Sequence, residues 1–161
     1  MSYSFGIEEE YFVNDAIKRD AARARMPDFF RRASEAIPGQ FSPEMLEPQI
    51  EVAIPPCDDF RTARELLGER RRALGALARE HDLSIMAAGT HPLAVWNRVR
   101  ASAQPRYGKV MHDLQMIGSR VLVCGMHVHV EVPDLDLRVD IMNRIQPFLP
   151  LLLALSTSSP F

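Results

Sequence analysis

The segment Cys124-Gly125-Met126-His127-Val128-His129-Val130-Glu131-Val132 switches between apolar and polar side chains at every step from Met126 onward. An extended strand turns that alternation into two distinct faces, because successive side chains of a strand point to opposite sides of its sheet. His127, His129 and Glu131 then share one face, and Met126, Val128, Val130 and Val132 share the other. A chain holding such a strand needs a sheet with one covered face and one polar face. Three consecutive same-face positions given to imidazole and carboxylate groups suit a ligand better than a core. A merely wet strand face shows the same His-x-His spacing, so this strand alone does not decide.

A second row of the same kind lies near the N-terminus, in Ser4-Phe5-Gly6-Ile7-Glu8-Glu9-Glu10-Tyr11-Phe12-Val13. Glu8 and Glu10 share a strand face with Gly6 and Phe12, while Ile7, Tyr11 and Val13 form the opposite face and Glu9 interrupts it. Acids pointing the same way repel unless a cation lies between them. A third segment, Pro43 to Pro56, carries Glu44 ahead of a short apolar strand, with Glu47 and Glu51 at even spacing and Pro48 delaying the strand or holding it to an edge. A solvated surface accounts for any one of these acids, but not readily for three separated strands that each carry carboxylates or imidazoles. Oxygen-rich ligands with little cysteine suit magnesium or manganese, and magnesium completes its shell with waters and phosphate oxygens.

Helical patterns separate these strands. Asp15 to Ile37 is rich in Ala and Arg and reads as a helix broken or restarted at Met26-Pro27, its arginines forming a solvated face. Asp58 to His81 is the clearest helix, with Ala63, Leu66, Leu67, Leu74, Leu77 and Ala78 on one stripe and the charged cluster Glu69 to Arg72 between them. Leu83 to Ala88 reads as a short strand followed by the turn Gly89-Thr90-His91-Pro92, in which His91 makes local hydrogen bonds. Gln104 to Gly118 fits a helix with Met111 and Met116 in the core and His112 at the surface, and Ser119 to Val132 is then one long strand. Asp134 opens a last helix with the stripe Val139, Met142, Ile145, Phe148 and Leu149, which Pro147 and Pro150 must kink or split. Alternation within the strands favours an α+β fold with a mainly antiparallel sheet, helices on one face and the ligand on the other.

The 161 residues, 47% hydrophobic and 25% charged, suffice for one core. A net charge of -2 gives no general attraction to nucleic acid or an anionic membrane, so neither partner is expected. Cys57 and Cys124 alone do not make a disulfide framework, and no signal-peptide pattern or apolar run long enough to span a bilayer is present; a cytoplasmic protein with reduced thiols is expected.

Taken together, Gly6-Ile7-Glu8-Glu9-Glu10, Glu44-Met45-Leu46 with Gln49-Ile50-Glu51-Val52-Ala53, Gly89-Thr90-His91-Pro92 followed by Trp96, and Gly125-Met126-His127-Val128-His129-Val130 resemble, in content and order, the carboxylate-amine ligase family related to glutamate–cysteine ligase type 2. The Gly-Met-His strand is also similar to one in glutamine synthetase, and Pro147 to Phe161 reads like the family's next segment. The resemblance implies ATP-dependent amide formation through an acyl phosphate, from a glutamate-like carboxylate and a cysteine-like amine. It implies that Glu8, Glu10, Glu51 and His127 hold magnesium, or manganese, that Glu8, His127 and His129 face the nucleotide, and that His127 and Glu44 act in catalysis. Glu47 lies where relatives often carry a non-acid. The implied fold is the antiparallel funnel of the glutamine synthetase catalytic domain, here incomplete. Residues 1–161 are expected to be the N-terminal portion of one catalytic domain, because family members run to more than twice this length and add an arginine and further acids.

The open strand edges of half a sheet favour a homo-oligomer or a complementing C-terminal fragment. Two other readings stand beside the ligase: a non-catalytic nucleotide- or metal-binding module that has lost turnover, and a zinc hydrolase built on His127 and His129, which needs a further ligand and a base.

Overall fold

Every strand but one pairs with β1 (Phe5–Asp15), which runs through the middle of a five-stranded sheet in the computed structural model of the chain. The structure describes residues 3–22, 26–36, 41–102, 107–108, 112–113 and 122–158. Along one edge β1 takes β3 (Gln49–Ala53), and β3 takes the short β2 (Phe41–Pro43). Along the other edge, β4 (Leu83–Met86) pairs with the C-terminal end of β1 and β5 (Met126–Val130) with its N-terminal end. All four pairings are antiparallel. The fold is α+β, as the alternating strands lead one to expect.

Two helices cover one face. Tyr11 and Val13 of β1, Ile50 and Val52 of β3 and Leu83 of β4 pack against Met26, Phe29, Leu74 and Ala78 of α1 (Met26–Ala36) and α2 (Phe60–Glu80). A smaller cluster of Phe5, Ile54, Cys57 and Ala63 continues the core toward the start of β1. Asp59 caps α2 by accepting from the Thr62 N–H at 2.9 Å, and the helix buries the stripe that its periodicity marks, from Ala63 to Ala78. Both cysteines are free and buried.

Two expectations need correction. The Ala- and Arg-rich segment after Asp15 is not helical at its start: β1 runs to Asp15, whose carboxylate accepts from the N–H groups of Ile17 and Lys18 at 3.0 and 2.9 Å. That turn, with Arg19 at φ 57, brings Ala21 back to bridge Asn14, so a side chain competing for backbone donors overrides helix propensity. Of the expected strand from Ser119 to Val132, the first three residues lie outside the described residues, and within 122–132 only Met126–Val130 is strand. Its ladder begins at Met126, because Val123 and Cys124 are held instead by Thr90, Gly89 and Gln49. The last helix is split, as its prolines lead one to expect, into α3 (Leu137–Ile145) and α4 (Leu149–Leu155), joined by a 3₁₀ turn at Gln146–Phe148 around Pro147, and neither buries a residue. Most of the expected helix from Gln104 to Gly118, with Met111 and Met116, lies outside the described residues; His112 is exposed. No helix among the described residues is long and apolar enough to cross a membrane.

His91 is a structural residue. Its Nδ1 accepts from the Leu93 and Ala94 N–H groups at 3.1 and 2.8 Å, so Nε2 carries the proton and donates to Asn14 Oδ1 at 2.8 Å. Burial lowers its pKa, and a second proton on Nδ1 would face two donors. An unfolded-state histidine takes a proton near pH 6.5, and folded His91 only at lower pH, so the unfolded chain gains protons first and stability falls as the pH drops below about 6.5. Urea denaturation at pH 7.5 and 5.5 is expected to show this loss. His91→Gln is expected to lower stability at pH 7.5 by about 1–3 kcal/mol through unsatisfied buried groups, and to flatten the dependence on pH.

Candidate metal centre

The face of the sheet away from α1 and α2 gathers the polar rows. In the register, Glu8 stands opposite His127, Glu10 opposite Glu51, and Gly6 opposite His129. Directly paired residues of antiparallel strands project to the same side with Cβ atoms about 5 Å apart, so three separate segments converge without any loop having to fold over them. Two groups of potential ligands result, Glu8 with His127 and His129, and Glu10 with Glu51 and His127; within each, the donor atoms lie within 4.8 Å of one another. His127 belongs to both.

Each carboxylate has its own environment. Glu8 Oε2 lies 2.8 Å from His129 Nε2 and 3.4 Å from His127 Nδ1, and the hydrogen bond to His129 holds its pKa below the ordinary value against a smaller effect of burial. Glu10 is raised, chiefly by burial, although its Oε2 accepts from the Gly125 N–H at 2.8 Å. Glu51 is also raised by burial and then by the neighbouring Glu8, with Ser42 Oγ donating to its Oε1 at 3.3 Å. Half-buried acids that disfavour their own charge beside like charges form a place where a cation lowers the energy.

The remaining sequence candidates stand close by or apart. Glu44 lines a concavity of about 270 Å³ with Glu10, Gly125 and His127, yet belongs to neither ligand group; its Oε2 accepts from the Tyr107 hydroxyl at 3.2 Å. Glu47 sits in the turn before β3, where its N–H donates to the Arg100 carbonyl, and Pro48 ends that turn. Glu131 lies beyond β5 and accepts from Ser4 Oγ at 2.6 Å. Cys124 is buried, its thiol pKa pushed up to about 12, so at neutral pH it offers no thiolate.

Several contributors were not among the expected ligands. The backbone of Gly125 grips Glu10 twice, its carbonyl accepting from the Glu10 N–H at 3.0 Å while its own N–H donates to the carboxylate. Buried Gln49 donates to the Val123 carbonyl and steadies the approach to β5. On the helix side, Glu9 is buried with its carboxylate held by Arg71 and by the Tyr11 hydroxyl. A signal for that partner exists in the sequence, since Arg71 falls four residues after Leu67 and three before Leu74, on the apolar stripe of α2.

The donor set suits a hard divalent cation: carboxylates with a shared imidazole, and an open side for waters or phosphate oxygens. The sequence profile of glutamate-cysteine ligase family 2 (GCS2) matches residues 4–161. The chain belongs to this family. A provisionally assigned glutamate–cysteine ligase 2 of Bradyrhizobium sp. BTAi1 is 45% identical over 159 residues, covering 99% of this chain and 39% of the relative. One of Ectopseudomonas mendocina is 46% identical over 158 residues, covering 98% and 42%. This family member therefore spans about two fifths of the length of these relatives. Its fold is similar to that of a glutamate–cysteine ligase from Francisella tularensis, solved in complex with AMP, with a TM-score of 0.65 at 17% identity over 91% of this chain and 30% of that one. It is also similar to a bifunctional glutathione synthetase from Pasteurella multocida, with a TM-score of 0.61 at 20% identity over 90% of this chain and 19% of that one.

A Cβ at Gly125 would lie 3.2 Å from His127 Nε2 and 3.9 Å from Glu10 Oε2. Gly125→Ala is therefore expected to displace the exposed imidazole while the fold survives. Titration with Mn²⁺, read by electron paramagnetic resonance, should show affinity reduced on the order of tenfold, as for other losses of ligand orientation. Unchanged Mn²⁺ affinity refutes the assignment of His127 as a ligand.

Proposed function

We propose that this chain is the nucleotide- and metal-binding part of an ATP-dependent carboxylate-amine ligase that joins a glutamate-like carboxylate to a cysteine-like amine. The observation that carries this reading is the pair of adjoining ligand groups sharing His127 on one open sheet face. Family membership supports the ligase class, and the AMP bound in the Francisella enzyme supports a nucleotide as ligand. In this reading Glu8, Glu10, Glu51 and His127 hold magnesium, with manganese able to replace it, and His129 stands beside Glu8 toward the nucleotide phosphates. The ions supply neutralisation of phosphate charge when bound, which is the main requirement of phosphoryl transfer.

The chain's own residues do the positioning. Gly125 fixes the Glu10 carboxylate, Ser42 fixes that of Glu51, and Glu8 orients both imidazoles. Glu44, at the wall of the concavity beside Glu10 and His127, acts in catalysis in this reading. Transfer of the γ-phosphoryl group to the carboxylate gives an acyl phosphate, from which the amine displaces phosphate. Turnover belongs to the whole ligase, and a binding module without turnover is the other outcome for this chain by itself. Free, buried Cys57 and Cys124 agree with a reducing cytoplasm.

Two imidazoles with a carboxylate are also a set that zinc takes, and Glu8, His127 and His129 form one. The adjoining group of two carboxylates and the shared His127 favours the harder ion. Calorimetric titration with ATP and Mg²⁺ tests the proposal. Glu10→Gln and His127→Ala are each expected to abolish magnesium-dependent ATP binding with the far-ultraviolet circular dichroism unchanged. Full ATP affinity in both variants, or stoichiometric zinc surviving dialysis, rejects it.

A further inference from the structure

The row Phe60, Arg64, Gly68 and Arg72 runs along one side of α2 at four-residue steps, next to the stripe that the helix buries. Between this row and Ile7 of β1 lies a groove of about 720 Å³, within the size range of small-molecule sites and on the face of the sheet opposite the acid and imidazole cluster. Its floor is apolar, with Ile7 and Leu67 packed toward Ala63. Phe60 stands at one end: its ring leans on Phe5, with centroids 5.0 Å apart, yet the residue is 82% exposed. Arg64 and Arg72 are exposed as well, and neither forms an ion pair among the described residues. A Cβ at Gly68 would lie 3.3 Å from Arg72 Nη1, so the guanidinium of Arg72 folds back over bare helix backbone at this point. Arg71 also lines the groove, but Glu9 holds it. Glu65 and Glu69 come one residue after Arg64 and Gly68, about 100° further round the helix, and so stand at the outer rim.

We infer that this groove is a second ligand site, for a phosphorylated small molecule of the nucleotide class, with its phosphates on Arg64 and Arg72 and its ring on Phe60. Guanidinium groups without carboxylate partners suit phosphate, whose oxygens they take in pairs. A phenyl ring that is supported on one side and open on the other suits a planar heterocycle, since stacking needs only a π-face. The spacing agrees. Phe60 to Arg72 spans roughly 18 Å of helix, with Arg64 about a third of the way along, which matches a ring followed by a short phosphate chain. A carboxylate ligand would use the arginines but not the ring, and a nucleic acid strand would need a longer basic track than a chain of net charge -2 provides. The groove also needs no metal, because its own charge complements phosphate, whereas Glu8, Glu10 and Glu51 repel phosphate until a cation is bound. The inference rests on this groove and not on the reaction proposed above.

Calorimetric titration of the 161-residue chain with ADP in the presence of EDTA tests it. Binding at one site is expected, weaker at higher ionic strength, and Arg64→Glu with Arg72→Glu should weaken it at least about tenfold. Phe60→Ala should lower the affinity for ADP severalfold and leave that for inorganic pyrophosphate unchanged, which separates stacking from charge. All three side chains are exposed, so the substituted chains should keep the urea midpoint of the parent. Glu10→Gln and His127→Ala should leave metal-free ADP binding intact. Absence of ADP binding in EDTA overturns the inference, as does equal affinity in the Arg64 and Arg72 variant or in Phe60→Ala. Loss of metal-free binding in Glu10→Gln or His127→Ala overturns it too, by moving the nucleotide to the opposite face. Metal-free ADP binding without magnesium-dependent ATP binding leaves the groove standing and removes the proposed reaction; the converse removes the groove and leaves the reaction.

Discussion

The pleat of β1 is the constraint on which the site depends. With Glu8 opposite His127 and Glu10 opposite Glu51, the antiparallel register decides that four candidate ligands share one side of the sheet. A slip of one residue in either pairing would send acids into the core and Ile7, Tyr11 or Val52 into water, so the hydrophobic packing under α1 and α2 enforces the geometry of the polar face. Core and site are thus two readings of one alternation. The ligand groups need no separate scaffold.

Glu9 shows how closely the two faces are linked. It lies between two candidate ligands, but its carboxylate points to the helix side and is buried there against Arg71 and Tyr11. A buried carboxylate without its partners is costly, so Arg71 anchors the middle of β1 to α2. The bond to Glu9 raises the pKa of Arg71, and burial followed by the bond to Glu9 raises that of Tyr11, which keeps the guanidinium charged and the phenol protonated as a donor. Three successive glutamates therefore do different work: the outer two face the open side, and the central one holds the strand in place.

Strand content and face assignment were legible because period-two alternation at β1, β3 and β5 has one structural meaning. The helix at α2 was equally legible, since its stripe and its Asp59 cap agree. Misreadings arose where local hydrogen bonds outweigh pattern. Asp15 turns the chain where Ala and Arg suggest a helix, and Thr90, Gly89 and Gln49 hold Val123 and Cys124 out of the ladder. The exposed stripe of α3 and α4 misleads for another reason: amphipathic spacing marks a face that needs covering but does not say from where the cover comes. Within the site, the acids and histidines were visible as residue types, whereas the grip of the Gly125 backbone on Glu10 has no sequence signature, because any residue carries an N–H and a carbonyl. Glycine is required there for the room that His127 takes.

The electrostatics of the cluster give the strongest argument that it is a binding site. Two carboxylates about 5 Å apart repel by about 3 kcal/mol at an effective dielectric constant near 20, a cost comparable to a sizeable fraction of a domain's stability. Glu10 and Glu51 meet this cost in part by their raised pKa, and Glu8 by its imidazole partners. Phe12 of the same face is buried against His91, but Glu8, Glu10 and Glu51 belong to neither hydrophobic cluster, so the packing does not require acids at these positions. A fold gains nothing from gathering Glu8, Glu10 and Glu51 on one open surface by pairing alone. A divalent ion turns each repulsion into two attractions, and a phosphate chain beyond it uses the ion's remaining charge. A cation between these carboxylates would relieve their repulsion, which is what makes the cluster a candidate ligand site.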